Sequence, residues 1–579
     1  MPCREEGFSL LMVMLFIGLG FLLMTGVLNY SSANSTATDR YNEYYTTLAA
    51  SEAATEKIVG NIAHYFQNFG VAGVDNQLTN FGNMYPTAAE LLGVGWQDEW
   101  GSYDFMNPVG GNNSTYVAKL SNEQYTGLNW KYSGFSGYAA SYRIISNTRR
   151  ATSGKNIVAA LRQDVQVASI PLFEFGVFYA LDMEVCPSQD MTFTGRVHCN
   201  TNIYSAPSNP KIVTFAGDVT SAHKILRQTD PDDPLTRTPP FAVNFLGAQD
   251  WNVASLKLPI GSTSAPNTLA QNTPAVLREI INIPPSPDET TLLGKQRYYN
   301  KADVIILVTN GGLVGKSGVN YPAVNLTSIV TNFVKVSTNT FQNKRESAAT
   351  AGILFTEVDI QAFTNRYIDL RNALGADPKI LYVADLRSQA GTQSGVRIVK
   401  GQTLPDAGLT VATPNPLYVK GHYNAFDLTA GSTNTFQTKP ASLVADAVTV
   451  LSGDWNDTNS NSALSSRQPS DTTINAAIIA GIVPSNGTYY SGGVENFIRL
   501  LEDWNPTART LTFNGSLVTL FESQIATGPW GGSGVYSPPI RRYGFDGNFK
   551  NATKLPPGTP HLRTLIRGEW AITQANSSL

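Results

Sequence analysis

The first long feature of the hydrophobic pattern is a run from Phe8 to Leu28 (FSLLMVMLFIGLGFLLMTGVL) without a charged residue; the next acidic or basic position is Asp39. A run of that length crosses a bilayer as an α-helix. The helical pattern does not stop there. Between Tyr30 and Phe69 there is no proline, and Gly60 is the only glycine. Tyr41, Tyr45, Leu48, Ile58, Ile62 and Phe66 recur at helical spacing, with Asp39, Arg40, Glu43, Glu52, Glu56 and Lys57 between them. The pattern predicts one long helix over 8–69 that leaves the membrane and lays an apolar face on a folded domain.

Beyond the helix the period changes to that of strands. Tyr138 to Ser146 and Ile157 to Val167 read as a strand pair, turned by RRATSGKN with Gly154 at the bend. Past Pro171 a short motif recurs as Thr192-Phe193-Thr194-Gly195-Arg196-Val197 and Thr214-Phe215-Ala216-Gly217-Asp218-Val219. Thr512 to Leu517 repeats it, and Tyr418 to Tyr423 and Ile478 to Val483 are looser copies. The first two lie 22 positions apart, about one turn of a solenoid. A fixed glycine permits a bend, or stacking too close for a side chain. The expected passenger is therefore a stacked-strand domain over roughly 180–225 and 415–525, either a parallel β-helix or a β-sandwich. Between these blocks, Ala302 to Val308 and Lys379 to Ala384 read as strands and Ile360 to Leu374 as a helix, a small α/β insertion over 295–400. Lys224 to Pro287, rich in Pro, Thr and Asn, reads as a long surface excursion.

Composition fits an exported β-rich protein. Charged residues are only 15% of the 579, against roughly 25% in ordinary soluble domains, and the formal net charge is -3. With no basic run, nothing points to nucleic acid. Cys3 lies near the start, which leaves Cys186 and Cys199 as a pair that an oxidising compartment would bridge; two buried free thiols are the alternative.

The N-terminus carries a resemblance. A short charged stretch ends at Gly7-Phe8-Ser9-Leu10-Leu11, which resembles the prepilin peptidase site of type IV pilins and type II secretion pseudopilins. The segment Arg40 to Val59 (RYNEYYTTLAASEAATEKIV) is similar to PilX-like minor pilins, with a weaker echo to Phe178. The resemblance implies cleavage after Gly7, methylation of Phe8, and a small pilin-type sheet packed on the helix. It implies prepilin peptidase and other pilin or pseudopilin subunits as partners. It also implies a single-pass inner-membrane form with its C-terminal part periplasmic, and later a place on the cell surface or in a filament. Two departures stand out. Arg4 is the one cation of the leader, against Glu5 and Glu6, and the fifth mature position is Met12, where most major pilins carry Glu. The organisation expected is leader 1–7, long helix 8–69, pilin-like domain 70–170, first β block 171–294, insertion 295–400 and second β block 401–579.

Candidate chemistry is sparse. Asn310 to Ser317 ends like a phosphate loop, but Asn310 stands where glycine is needed and Gly318 to Pro322 does not start a helix. Asp454 to Asn461 is oxygen-rich, yet counted from Asp457 an EF-hand would need Gly at Ser462 and Glu at Gln468, so an Asx-rich turn is the plainer reading. His64, His198, His223, His422 and His561 show no metal-ligand spacing. Glu502-Asp503 and Glu357 with Asp359 are acidic pairs of the kind some polysaccharide-cleaving enzymes use, and also of the kind that caps turns. Trp504, Trp530, Tyr536 and Tyr543 suit either a glycan-binding face or a β core. The expectation is a non-enzymatic minor pilin or pseudopilin-like component, mainly β with a long N-terminal helix, without cofactor or metal, at low copy at a tip or in initiation. A membrane-anchored adhesin with a surface or glycan ligand is the alternative, and a β-helix polysaccharide-degrading enzyme comes after it.

Overall fold

A computed structural model describes residues 6–91, 100–105, 115–260, 272–285, 291–347, 351–425, 432–530 and 534–574. Helix α1 runs from Glu6 to Asp75, interrupted at Gly70, whose φ of 70° and ψ of -164° are not helical. The buried stripe starts later than the sequence suggests. Tyr41 and Tyr45 are exposed, whereas Leu48, Ala54, Ile58, Ile62 and Phe66 are buried. The lower half of α1 therefore packs on protein and the upper half does not.

What it packs on is an antiparallel sheet. Its centre is the pair Ser136–Arg150 and Val158–Pro171, with Tyr142, Ile144, Val165 and Val167 facing Ile58, Ile62 and Phe66. In the turn between the two strands the positive φ falls on Asn156, not Gly154. The far edge of this sheet is filled from the other end of the chain: the strand His561–Thr573 pairs antiparallel with Val158–Pro171. The expected block 401–579 thus gives up its last strand to the helix-bearing unit. That strand grips α1 directly. Arg563 Nη1 donates to the carbonyls of Phe66 and Gln67, at 3.1 and 2.8 Å, just before the Gly70 break. Arg567 Nη2 pairs with Glu56 at 2.7 Å, and Gln67 Nε2 donates to the Arg563 carbonyl at 2.6 Å. Carbonyls freed near a helix interruption need donors, and here a residue almost 500 positions away provides them.

The passenger is thus inserted between two neighbouring strands of that sheet. It is built from parallel rungs. Strands 183–185, 191–193 and 196–199 form one turn, and 203–205, 212–215 and 219–221 lie on it strand by strand. Val213 stands opposite Met191 and Val219 opposite Val197, the 22-residue spacing of the motif. A third rung follows within the expected surface excursion: 225–226, 242–245 and 249–251. Its spacing grows to 30 (Val213 opposite Val243) because residues 227–241 loop out, and that insertion hides the repeat in the sequence.

The motif glycines sit where rungs touch. A Cβ on Gly217 would lie 2.5 Å from the Gly195 carbonyl oxygen, and one on Gly247 would lie 2.6 Å from that of Gly217. Beside them Phe193, Phe215 and Phe245 stack with ring centres 5.3 and 5.1 Å apart. The copy at Thr512 to Leu517 differs, since Gly515 lies inside a single long strand, Thr510–Thr519.

The remaining rungs come in an unexpected order. From the third rung the chain travels to the opposite end of the stack and builds back. Strands 304–309, 380–385, 409–412, 441–445, 472–480 and 510–519 line up in turn, and the last of them pairs in parallel with Phe175–Tyr179, where the passenger began. Both stacks so merge into one twelve-stranded sheet. The elements expected over 295–400 are present, but their strands belong to this sheet. The expected single helix there is two, Ile360–Asn365 and Tyr367–Leu374, parted at Arg366. A six-stranded sheet, from Val334–Gln342 to Arg499–Leu500, closes the second stack on its other face. The twelve-stranded sheet and the helix-bearing unit share one apolar cluster, including Phe135, Ile170, Phe173, Phe178, Val444, Ile479 and Val518.

At that junction Glu174 is buried, accepting from the Ser136 amide at 2.8 Å and the Tyr125 hydroxyl at 3.1 Å. Burial raises its carboxyl from 4.5 to about 7. The native state then holds the proton more tightly than the unfolded chain. Its contribution is full below about pH 4.5, is lost as pH rises towards 7, and levels off above. Glu174→Gln is expected to flatten that segment of the pH–stability curve by about 1–3 kcal/mol relative to wild type; an unchanged slope in denaturant titrations counts against the assignment. Gly217→Val should cost about 1–3 kcal/mol by forcing rungs apart, whereas Gly60→Ala, with open space around it, should stabilise by up to about 1 kcal/mol. Equal unfolding midpoints for the two variants would refute the stacking role of Gly217.

Candidate functional site

The most conspicuous surface is the upper half of α1. Phe8, Leu11, Phe16, Phe21, Leu22, Leu23 and Val27 are all more than half exposed, and none of the most apolar window is buried by the protein. Among the described residues this is the one helix long and apolar enough to cross a membrane. Apolar area of that size stays out of water by entering lipid or by packing on other helices. The helix runs through the Gly7-Phe8 boundary; residues 1–5, with Cys3, lie outside the described residues. Met12 is about half exposed on the same surface.

The acidic pairs serve as structural partners. Glu357 pairs with Arg397 at 2.7 Å, while Asp359 caps the helix Ile360–Asn365 through the Ala362 amide and pairs with Lys400. Glu502 is buried and accepts from the Ser452 amide and hydroxyl at 2.7 and 2.6 Å, and burial pushes it up to about 7. Asp503 accepts from Ser537 at 2.6 Å. Asp457, in the oxygen-rich turn, is held by Arg397 and Trp455. Among the described residues no group of three or more His, Cys, Asp or Glu is placed to hold a metal. Asn310 to Ser317 lies in an antiparallel hairpin, with Gly312 at φ 126° and Lys316 bonded to the Tyr299 hydroxyl at 3.0 Å. His198 is a core residue, stacked on Phe178 and bonded to Thr220 and Asn200; burial lowers its pKa to about 4.

The expected Cys186–Cys199 disulfide is not formed: both are free, buried thiols. They belong to different parts of the first rung. Cys199 points into the stack and donates to the Leu181 carbonyl at 3.1 Å, while Cys186 packs with Ala206 and Tyr490 at its outer side. Burial pushes the Cys199 thiol up to about 12.

Of the four C-terminal aromatics, Trp504 is fully buried and Tyr543 packs on Phe513. Trp530 and Tyr536 do face a cavity, of about 260 Å³, together with Tyr490, Asn496, Arg237 and Arg541, over a floor of Cys186 and Glu495. Its walls come from the first two rungs (Cys186, Ser188, Ser208), the loop 227–241, the segment 490–496 and the stretch from Trp530 to Arg541 at the start of strand Ile540–Phe545. Sequence reasoning missed Arg237, Tyr490, Glu495 and Arg541. The available signal was the inserted loop 227–241, which breaks the 22-residue period and delivers Arg237.

No family model matches the chain, and no curated protein matches it. Among solved structures, the competence-associated pilin ComZ from Thermus thermophilus is similar over 90% of this chain and 98% of that chain, at 11% identity and a TM-score of 0.28. That score is too low to fix a shared fold.

Proposed function

We propose that the chain is a pilin-like structural subunit, a minor pilin or pseudopilin of a type IV pilus or type II secretion-like filament, displaying a β-helix-like passenger. The observation that carries this reading is the division of α1: its lower half is buried on an antiparallel sheet, and its upper half is a bare apolar rod. A membrane anchor alone needs no rigid continuity with the folded part. A subunit that moves from the bilayer into a helix bundle does, and the clamp of Arg563 and Arg567 on α1 provides it.

In this reading prepilin peptidase cuts between Gly7 and Phe8, and the released α1 associates with other pilin subunits. A charged N-terminal amine drawn into an apolar bundle needs a counter-ion. Met12 offers none to a neighbour, so the subunit belongs at low copy at a tip or in initiation, with the passenger outward. Intact-mass analysis of the mature protein is expected to give a chain starting at a methylated Phe8, and Gly7→Leu is expected to retain the leader. A mature chain that starts at Asn34, just after the small residues Ser31-Ser32-Ala33 that an ordinary signal peptidase could accept, would rule the reading out.

A further inference from the structure

The cavity at the meeting point of the two stacks is lined unlike the rest of the passenger. Trp530 is half-buried and sets its ring edge-on to Tyr490 at 5.6 Å; its Nε1 donates to the Tyr536 hydroxyl at 3.2 Å. Tyr536 in turn donates to Asn496. These rings are fixed by one another and leave about 260 Å³ between them, room for a ring-sized ligand rather than an extended apolar segment.

Two guanidinium groups edge the same space, and they are not equivalent. Arg237 is held: it stacks on Tyr490 at 4.8 Å and pairs with Asp233 at 3.3 Å. Its loop is tied down where the Gly487 amide donates to the Asp232 carbonyl at 2.7 Å. Arg541 forms no ion pair within 4.0 Å among the described residues; its Nη2 donates to the neutral Asn496 Oδ1 at 3.3 Å, and the Tyr543 hydroxyl lies beside it. The one carboxylate of the lining, Glu495, is committed on both oxygens, to the Tyr490 hydroxyl at 3.0 Å and the Cys186 amide at 3.3 Å. Burial raises its pKa, opposed in part by the Arg541 charge, and neither of its oxygens is bonded to Arg541.

A partly buried guanidinium fork beside aromatic rings fits a planar carboxylate carried on an amphipathic ring. We infer that this cleft binds a carboxylate-bearing sugar residue of a surface glycan, with Arg541 taking the carboxylate and Trp530 and Tyr536 packing on the sugar ring. A single, fully bonded carboxylate in the lining favours binding over hydrolysis, which takes two. This goes beyond the filament role and does not depend on it, because the cleft lies in the passenger, outside α1 and its sheet.

The test is calorimetric titration of the full chain in detergent micelles with tetragalacturonate and with sialyllactose, against neutral maltotetraose. At least one acidic probe is expected to bind saturably, one per chain, and to weaken as sodium chloride rises. Arg541→Gln and Trp530→Ala should each weaken it about tenfold or more, and Arg541→Lys, which keeps the charge but loses the fork, less so. Arg366→Gln, on the distant helix pair, should change nothing. Circular dichroism checks each variant, and where the Gln variant does not fold the Lys variant and the salt dependence carry the decision. Equal binding of maltotetraose, binding unaffected by either Arg541 substitution, or no binding of either acidic probe overturns the inference. A chain that binds the acidic probe but enters no filament separates this inference from the filament reading.

Discussion

One constraint governs the molecule: among the described residues nothing covers the uncharged surface of α1 from Phe8 to Leu28. Burying apolar area is the main drive of folding and association, so a rod about 30 Å long left bare must be matched by lipid or by other helices. Everything below it is arranged to keep that rod attached and straight. The Arg563 guanidinium meets the carbonyls of Phe66 and Gln67, just before Gly70 breaks the helix, and Arg567, further along the same strand, meets Glu56.

The second arrangement is topological. Because Val158–Pro171 and His561–Thr573 are neighbours, the passenger leaves and returns at one place. Its first strand, Phe175–Tyr179, is also the seam on which the last long strand, Thr510–Thr519, closes. The stack therefore completes only when its final rung meets its first. The same closure gathers Cys186, Glu495, Trp530 and Arg541, residues far apart in the chain, into one cleft.

How much of this was legible in the sequence follows from what is local. The apolar run and the long helix depend on near neighbours in sequence, and the 22-residue glycine motif on the next rung, so all three show in the pattern. The third rung was hidden because 227–241 loops out of an otherwise regular period. The return of the C-terminal strand to the first sheet leaves no local mark, since His561 to Thr573 alternates like any half-buried strand. The disulfide follows from the oxidising compartment and the pairing of two cysteines, whereas the rung geometry places Cys199 in the core of the stack and Cys186 in a separate cluster with Ala206 and Tyr490. Trp530 and Tyr536 line the cleft, whereas Trp504, which carries the same amphipathic signature in the sequence, is core. The guanidinium groups that give the cleft its character come from separate segments, and their meeting is a property of the fold.

In the pilin reading proposed above, the bare half of α1 packs among other pilin helices at a filament end. Gold labelling of a tagged passenger on sheared filaments from the native host measures this directly. Label is expected at filament ends, at about one particle per labelled end. Label spread regularly along the shaft, or filaments that never carry it while the protein stays in the membrane, would contradict it.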